Sequence, residues 1–175
     1  DRNLTNVADA LNELPIYQGS VTPAGAQGSF GQGVNFVNTF GLGSNRTLTL
    51  INGRRFVNSN PPTIFNNASA GTQVDLNVVP AVLIDRVETV AVGGAPIYGS
   101  DAIGATTNVL LKTRFDDIVI TGTTGISERG DNFRFNIGGV AGYNFLDGTL
   151  NVTVAASHDK EEGVLQIERD FFNQD

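Results

Sequence analysis

At 175 residues without a cysteine or a methionine, the chain excludes disulfide frameworks, thiol nucleophiles and sulfur-ligated metals. It has no basic apolar leader and no apolar run near the ~20 residues a membrane helix needs, so any membrane crossing must use strands. The formal charge of −7 is uneven, with seven basic and seven acidic residues through Arg114 and four basic against eleven acidic from Phe115 onward. Neither part carries a basic stripe with interleaved aromatics, which leaves nucleic acid without an electrostatic footprint.

The 21 glycines, with many Asn and Thr and few charges, predict a mainly β chain rich in turns. With no methionine, an upstream segment is expected to have been removed. Asn6 can cap a helix of about two turns in which Val7, Ala8, Ala10 and Leu11 are apolar and Glu13 precedes Pro15. Gln18 to Gly43, dense in Gly, Gln, Asn and Ser, reads as irregular loops around short strands. Arg46 to Ile51 is a β-rich run closed by Asn52-Gly53, a strong hairpin signal, with Arg54, Arg55, Phe56 and Val57 returning. A polar loop over Asn58 to Thr72 leads to Val74 to Val78, whose alternation predicts a strand stopped by Pro80. A helical turn is expected at Ala81 to Ile84, then a buried-looking strand from Arg86 to Val92, a turn or cap at Tyr98 to Ala102, and a closing strand from Thr107 to Leu111.

Beyond Arg114 the pattern changes. Phe133, Phe135, Ile137, Gly139, Ala141, Tyr143 and Phe145 share one face of a strand of about 13 residues, a length that crosses a bilayer at a tilt. Arg134, Asn136, Gly138, Gly142 and Asn144 share the other face, and only Val140 breaks the alternation. After a turn at Asp147-Gly148 the pattern repeats, with Leu150, Val152, Val154 and Ala156 against Asn151, Thr153, Ala155 and Ser157. Charges gather at the ends, in Glu128, Arg129 and Asp131, in Asp147, and in Asp159 to Glu162. This alternation alone fits a half-buried soluble sheet as well as a lipid-facing barrel.

A more specific signal lies upstream. The run Gly41-Leu42-Gly43-Ser44-Asn45-Arg46-Thr47-Leu48-Thr49-Leu50-Ile51-Asn52-Gly53-Arg54-Arg55 is followed by Val74-Asp75-Leu76-Asn77-Val78-Val79-Pro80, Ile84-Asp85-Arg86-Val87-Glu88 and Ile97-Tyr98-Gly99-Ser100-Asp101-Ala102-Ile103-Gly104. Together these resemble, in order, the plug domain of TonB-dependent receptors. The resemblance implies a globular α+β plug, residues 1–114, inside the start of a large antiparallel transmembrane β-barrel, residues 115–175. Such a plugged barrel has about 22 strands, of which about three are present here, and hundreds of residues are expected beyond Asp175.

The implied activity is TonB-dependent import of a scarce solute of the siderophore, vitamin, oligosaccharide or peptide class across the Gram-negative outer membrane. The implied partners are TonB with its inner-membrane energising complex, outer-membrane lipid, the solute and the remainder of the barrel. No enzyme activity, metal or cofactor is implied, and a TonB-binding segment is expected upstream of Asp1. Two other readings share these features: a signal transducer or binding module with the same plug, and a soluble secreted β-rich binding protein.

The resemblance turns the loops Gly28 to Asn38 and Asn58 to Gln73 toward the exterior, which makes Phe30, Gln32, Asn35, Phe36, Asn60, Phe65, Asn66 and Asn67 the candidate solute contacts. Their amides suit hydroxyl, peptide and chelate oxygens, while the phenylalanines also read as anchors for loop packing. Family members usually carry basic residues where Phe40 and Ala91 stand, and these hold the plug to barrel glutamates. Arg46, Arg54, Arg55 and Arg86, with Glu88 and Asp101, are therefore the candidate plug–barrel polar contacts. Each arginine is expected on a carboxylate or carbonyl, because an unpaired buried charge costs several kcal/mol.

Phe133, Phe135, Tyr143 and Phe145 are the candidate membrane girdle. His158 beside Asp159 reads as a solvated loop residue, and Gly28, Gly31, Gly33, Gly41 and Gly43 as turn glycines, since no strand-to-helix context supports a phosphate cradle. Ser100 and Asp101 read as backbone caps, because no histidine lies in that part of the chain.

Overall fold

The computed structural model describes residues 7–18, 33–59, 64–65, 68–69, 73–91, 94–130 and 132–163. Phe30, Gln32, Asn60, Asn66 and Asn67, as well as the capping Asn6, lie outside the described residues.

A four-stranded sheet organises the first part. Its strands are β1 (Thr47–Ile51), β2 (Arg54–Arg55), β5 (Ile84–Val90) and β6 (Ala105–Leu111), in the order β2-β1-β6-β5. A separate two-stranded ribbon, β3 (Ile64–Phe65) with β4 (Ala68–Ser69), pairs Phe65 with Ala68. The Asn52-Gly53 turn forms as expected. Both residues have positive φ, 51° and 75°, as a two-residue hairpin requires. The Asn52 side chain accepts Leu111 N at 2.8 Å and the Asn108 side chain accepts Gly53 N at 2.8 Å, which ties this turn to the end of β6. β6 is thus a central strand rather than a closing one, parallel to β1 from Thr47↔Ala105 to Ile51↔Val109 and antiparallel to β5. β5 lies at the sheet edge with a half-exposed pattern, so the buried look of Arg86 to Val90 misleads.

α1 (Val7–Asn12) buries Ala8 and Leu11, three residues apart on one face, against Tyr17, Val37, Val74, Leu76 and Val109. Leu48, Leu50 and Ala102 form a second cluster. Between strands and loops the core is polar, with Thr39, Thr47, Thr49, Thr106 and Thr107 all buried. Three of these hydroxyls are bonded: Thr39 Oγ1 meets Thr47 Oγ1 at 2.8 Å, and Tyr17 OH bridges Thr89 Oγ1 at 2.6 Å and Thr107 Oγ1 at 2.9 Å.

The expected strand at Val74 to Val78 does not form; Leu76–Val78 is a 3-10 turn. Asp75 is the reason. Its carboxylate accepts Asn77 N at 3.0 Å, closing a local turn that competes with any ladder, and also accepts Asn35 N at 2.9 Å. The helical turn after Pro80 is present as a second 3-10 turn, Ala81–Leu83.

The last part is an antiparallel meander of β7 (Ile118–Gly125), β8 (Arg134–Phe145) and β9 (Leu150–Glu161). Pairing runs unbroken from Arg134↔Glu161 to Phe145↔Leu150. His158 lies inside β9, opposite Ile137, so it is a strand residue and not a loop residue.

Candidate functional site

The two faces of the meander differ in chemistry. Ile118, Ile120, Ile137, Tyr143, Phe145, Leu150, Val152 and Val154 are large apolar side chains exposed on one face, uncovered among the described residues. From Phe135 to Phe145 is ten steps of about 3.3 Å, or about 25 Å along a barrel axis at a strand tilt near 40°, the height of a lipid-facing band. Tyr143 and Phe145 stack edge to face at 4.8 Å at one end of that band, while Phe135 pairs with Lys160 toward the other, where Phe133 follows.

The opposite face is polar at both ends. Arg134 and Glu161 form an ion pair at 2.7 Å, Asn136 donates to Asp159, and Asn151 Nδ2 donates to Asn144 Oδ1 at 2.8 Å. In its middle lie Gly138, Val140 and Gly142, and Val140 is only 2% exposed. Here the first part of the chain sits on the strands. The 3-10 turn Ala81–Leu83 packs on β8 and β9. A Cβ built on Gly138 would come within 2.9 Å of Val82 Cγ1, and one on Gly142 would overlap the Phe115 carbonyl. Asn151 Nδ2 donates to that carbonyl at 2.8 Å, and Gly142 N donates to Asp117 O at 2.9 Å. Lys112 ties the same pieces together: its Nζ donates to Val82 O at 2.8 Å, its backbone N to Leu83 O at 2.8 Å, and its ammonium lies 5.4 Å from the Phe115 ring centre.

The candidate polar contacts occupy the plug itself. Arg55 Nη2 donates to Asp101 Oδ1 at 2.9 Å, Arg55 Nη1 pairs with Oδ2, and the Tyr98 carbonyl accepts from the same guanidinium. Asp101 is therefore an ion-pair partner. The Arg55 hydrogen bond holds its carboxyl below the usual carboxylate range although burial opposes this, and Asp101 in turn raises Arg55. Arg86 pairs with Asp85 at 2.8 Å and Glu88 at 2.9 Å along exposed β5, and its affinity for a proton rises mainly through Glu88. Arg46 Nη1 donates to Leu42 O at 2.7 Å, whereas Arg54 is exposed. Phe40 is exposed at a positive φ of 55°, and Ala91 is half-buried.

Asn35 and Phe36 change role. They are 0% and 2% exposed, so neither side chain reaches a solute; Asn35 instead donates to Asn77 Oδ1 at 3.3 Å and its backbone is held by Asp75. Gly33, Gly41 and Gly43 all have positive φ, as turn glycines do. Sequence reasoning missed Val82, Lys112, Gly138 and Gly142. The available signal was the small-Val-small run on an otherwise polar strand face.

Residues 1–106, more than half of the chain, match the family described as the TonB-dependent receptor plug domain. The vitamin B12 transporter BtuB of Vibrio cholerae is 34% identical over 86 residues, covering 49% of this chain and 12% of the relative. The BtuB of Vibrio vulnificus is 33% identical over 107 residues, covering 61% and 15%. Among solved structures, the siderophore receptor PirA of Acinetobacter baumannii superposes with a TM-score of 0.68 at 18% identity over 90% of this chain and 22% of its own. A mutant of the ferric enterobactin receptor PfeA of Pseudomonas aeruginosa, with enterobactin bound, gives 0.68 at 16% identity over the same shares. The chain thus spans a small part of the length of each of these proteins, and the likeness to the receptors extends past the plug into the strands. The strands that carry these two faces share the fold of Gram-negative outer-membrane receptor barrels, a kind of wall in which one face meets lipid and the other the lumen. The chain belongs to the TonB-dependent receptor plug family, as a plug followed by the first strands of its barrel.

Proposed function

We propose that this chain is the gate of a TonB-dependent importer that takes up a scarce solute of the siderophore, vitamin, oligosaccharide or peptide class across the outer membrane. One observation carries the reading: a hydrogen-bonded plug sheet lies against the polar face of strands whose other face is bare and apolar. A plug seated in a lumen blocks passive flow, so passage needs work from outside the membrane, and TonB with its inner-membrane complex is the partner that supplies it. The 34% identity to a vitamin B12 transporter and the fold shared with siderophore receptors support this class of solute.

In this reading the plug comprises residues 1–114 and the barrel begins at Phe115, a division supported by the connector that leaves β6 through Lys112 and reaches the wall at Phe115. Phe30, Gln32, Asn60, Phe65, Asn66 and Asn67 meet the solute. Arg46, Arg54, Arg55, Arg86, Glu88 and Asp101 form the polar surface that the remaining barrel strands cover, and Phe133, Phe135, Tyr143 and Phe145 form the girdle.

The test is uptake of radiolabelled cobalamin, ferric siderophores, oligosaccharides and peptides by cells carrying the full-length receptor, with and without TonB. Accumulation of one class that disappears without TonB is expected. Accumulation that is the same without TonB contradicts the reading.

A further inference from the structure

We propose that a glycine slot on the lumen wall, Gly138, docks the plug by shape and thereby sets how firmly it closes the barrel. Every ion pair described above stays on one side of the contact: Arg55 with Asp101 and Arg86 with Asp85 and Glu88 in the plug, Arg134 with Glu161 in the wall. Among the described residues, what crosses from plug to wall here is shape: Val82 fills the space that a side chain at position 138 would take.

The slot discriminates sharply. Val82 is β-branched and stiff at χ1, and it rides on a 3-10 turn closed by Leu83 N to Pro80 O at 3.0 Å, so it cannot swing aside cheaply. Lys112 holds the Val82 and Leu83 carbonyls at 2.8 Å each, so the turn cannot retreat without breaking those bonds. The neighbouring Gly139 points outward and is the internal control, since a Cβ there meets only ordinary contacts at 3.8 Å and 4.0 Å.

The experiment records ion conductance of the full-length receptor in planar lipid bilayers without solute or TonB, so its result does not depend on whether the protein imports anything. Gly138→Ala is expected to raise the frequency of open events about tenfold, the factor a modest overpacking penalty produces. Adding Val82→Ala to that variant removes the obstructing methyls and brings conductance back toward the parent, while Gly139→Ala leaves it unchanged. Parent-like conductance of Gly138→Ala, or a leak that Val82→Ala does not reduce, overturns the proposal. Should Gly138→Ala fail to assemble, Lys112→Ala leaves the strands untouched and is expected to leak in the same direction by a smaller factor. Parent-like conductance of Lys112→Ala would then overturn it.

Discussion

The plug sheet and the barrel wall are both built from strands that alternate side chains between two faces, and they use those faces in opposite ways. In β1 both faces are covered, Leu48 and Leu50 on one side and Thr47 and Thr49 on the other, and hydroxyl bonds over long sequence distances, such as Tyr17 to Thr107, complete the packing. In β8 and β9 only one face is covered by protein, and the other is left to lipid. The plug is therefore held together from within, whereas the wall depends on what lies outside it. This difference predicts different responses to the same kind of substitution.

The largest effect is expected inside the plug. Leu76→Ala removes a fully buried side chain from the cluster under α1 and should destabilise the plug by about 2–5 kcal/mol, read as a lower denaturant midpoint for loss of plug structure in the full-length receptor. On the wall, side matters more than size. Ala141→Arg puts a charge on the lipid face and should cost about 2–4 kcal/mol in a vesicle folding titration, while Thr153→Arg on the lumen face should cost far less. Equal penalties at the two positions would break the comparison.

Tyr17→Phe sharpens the plug side of it. The change removes bonds of 2.6 Å and 2.9 Å and leaves the buried Thr107 hydroxyl short of a partner, a loss of about 1–3 kcal/mol by the same midpoint measurement.

The smallest effect belongs to Asp101→Asn, about 1 kcal/mol, because half of the Arg55 side chain is in solvent. Its pH dependence identifies it. Asp101 has a depressed folded pKa, so its stabilisation is complete above the ordinary carboxylate value near 4 and is lost as pH falls below that through the lower folded value. The parent should lose its advantage over the variant only in that acid window, and an advantage lost above pH 6 would contradict the assignment.

The wall was the more legible half. Its period of two survives in the structure nearly residue for residue, because lipid and lumen impose opposite polarity on successive side chains. The plug was legible where chemistry is local, as at Asn52-Gly53, whose turn forms with both residues at positive φ. It was illegible where a distant partner decides. Val74 to Val78 alternates like a strand, yet the Asp75 carboxylate, engaged by Asn35 from 40 residues away, bends it into a turn. Arg86 to Val90 reads as buried and lies at an edge, because burial depends on sheet order, which no local pattern encodes.

The site shows the same division. Val140 looked like a break in the alternation and is where the wall receives the plug. Asn35 and Phe36 looked like solute contacts and are interior supports. Neither distinction is available until the segments that cover them are placed.

The central claim is that β8 and β9 present alternate residues to lipid and to the plug. It is tested most directly by placing single cysteines along Phe133 to Phe145 and Leu150 to Ser157 of the full-length receptor, labelling each with a fluorophore, and measuring quenching by brominated lipids. These 175 residues contain no cysteine of their own to compete for label. The account predicts strong quenching at Ile137, Gly139, Ala141, Tyr143, Val152 and Val154, and protection at Val140, Thr153 and Ala155. Quenching without that period of two, or none at any position, would contradict it.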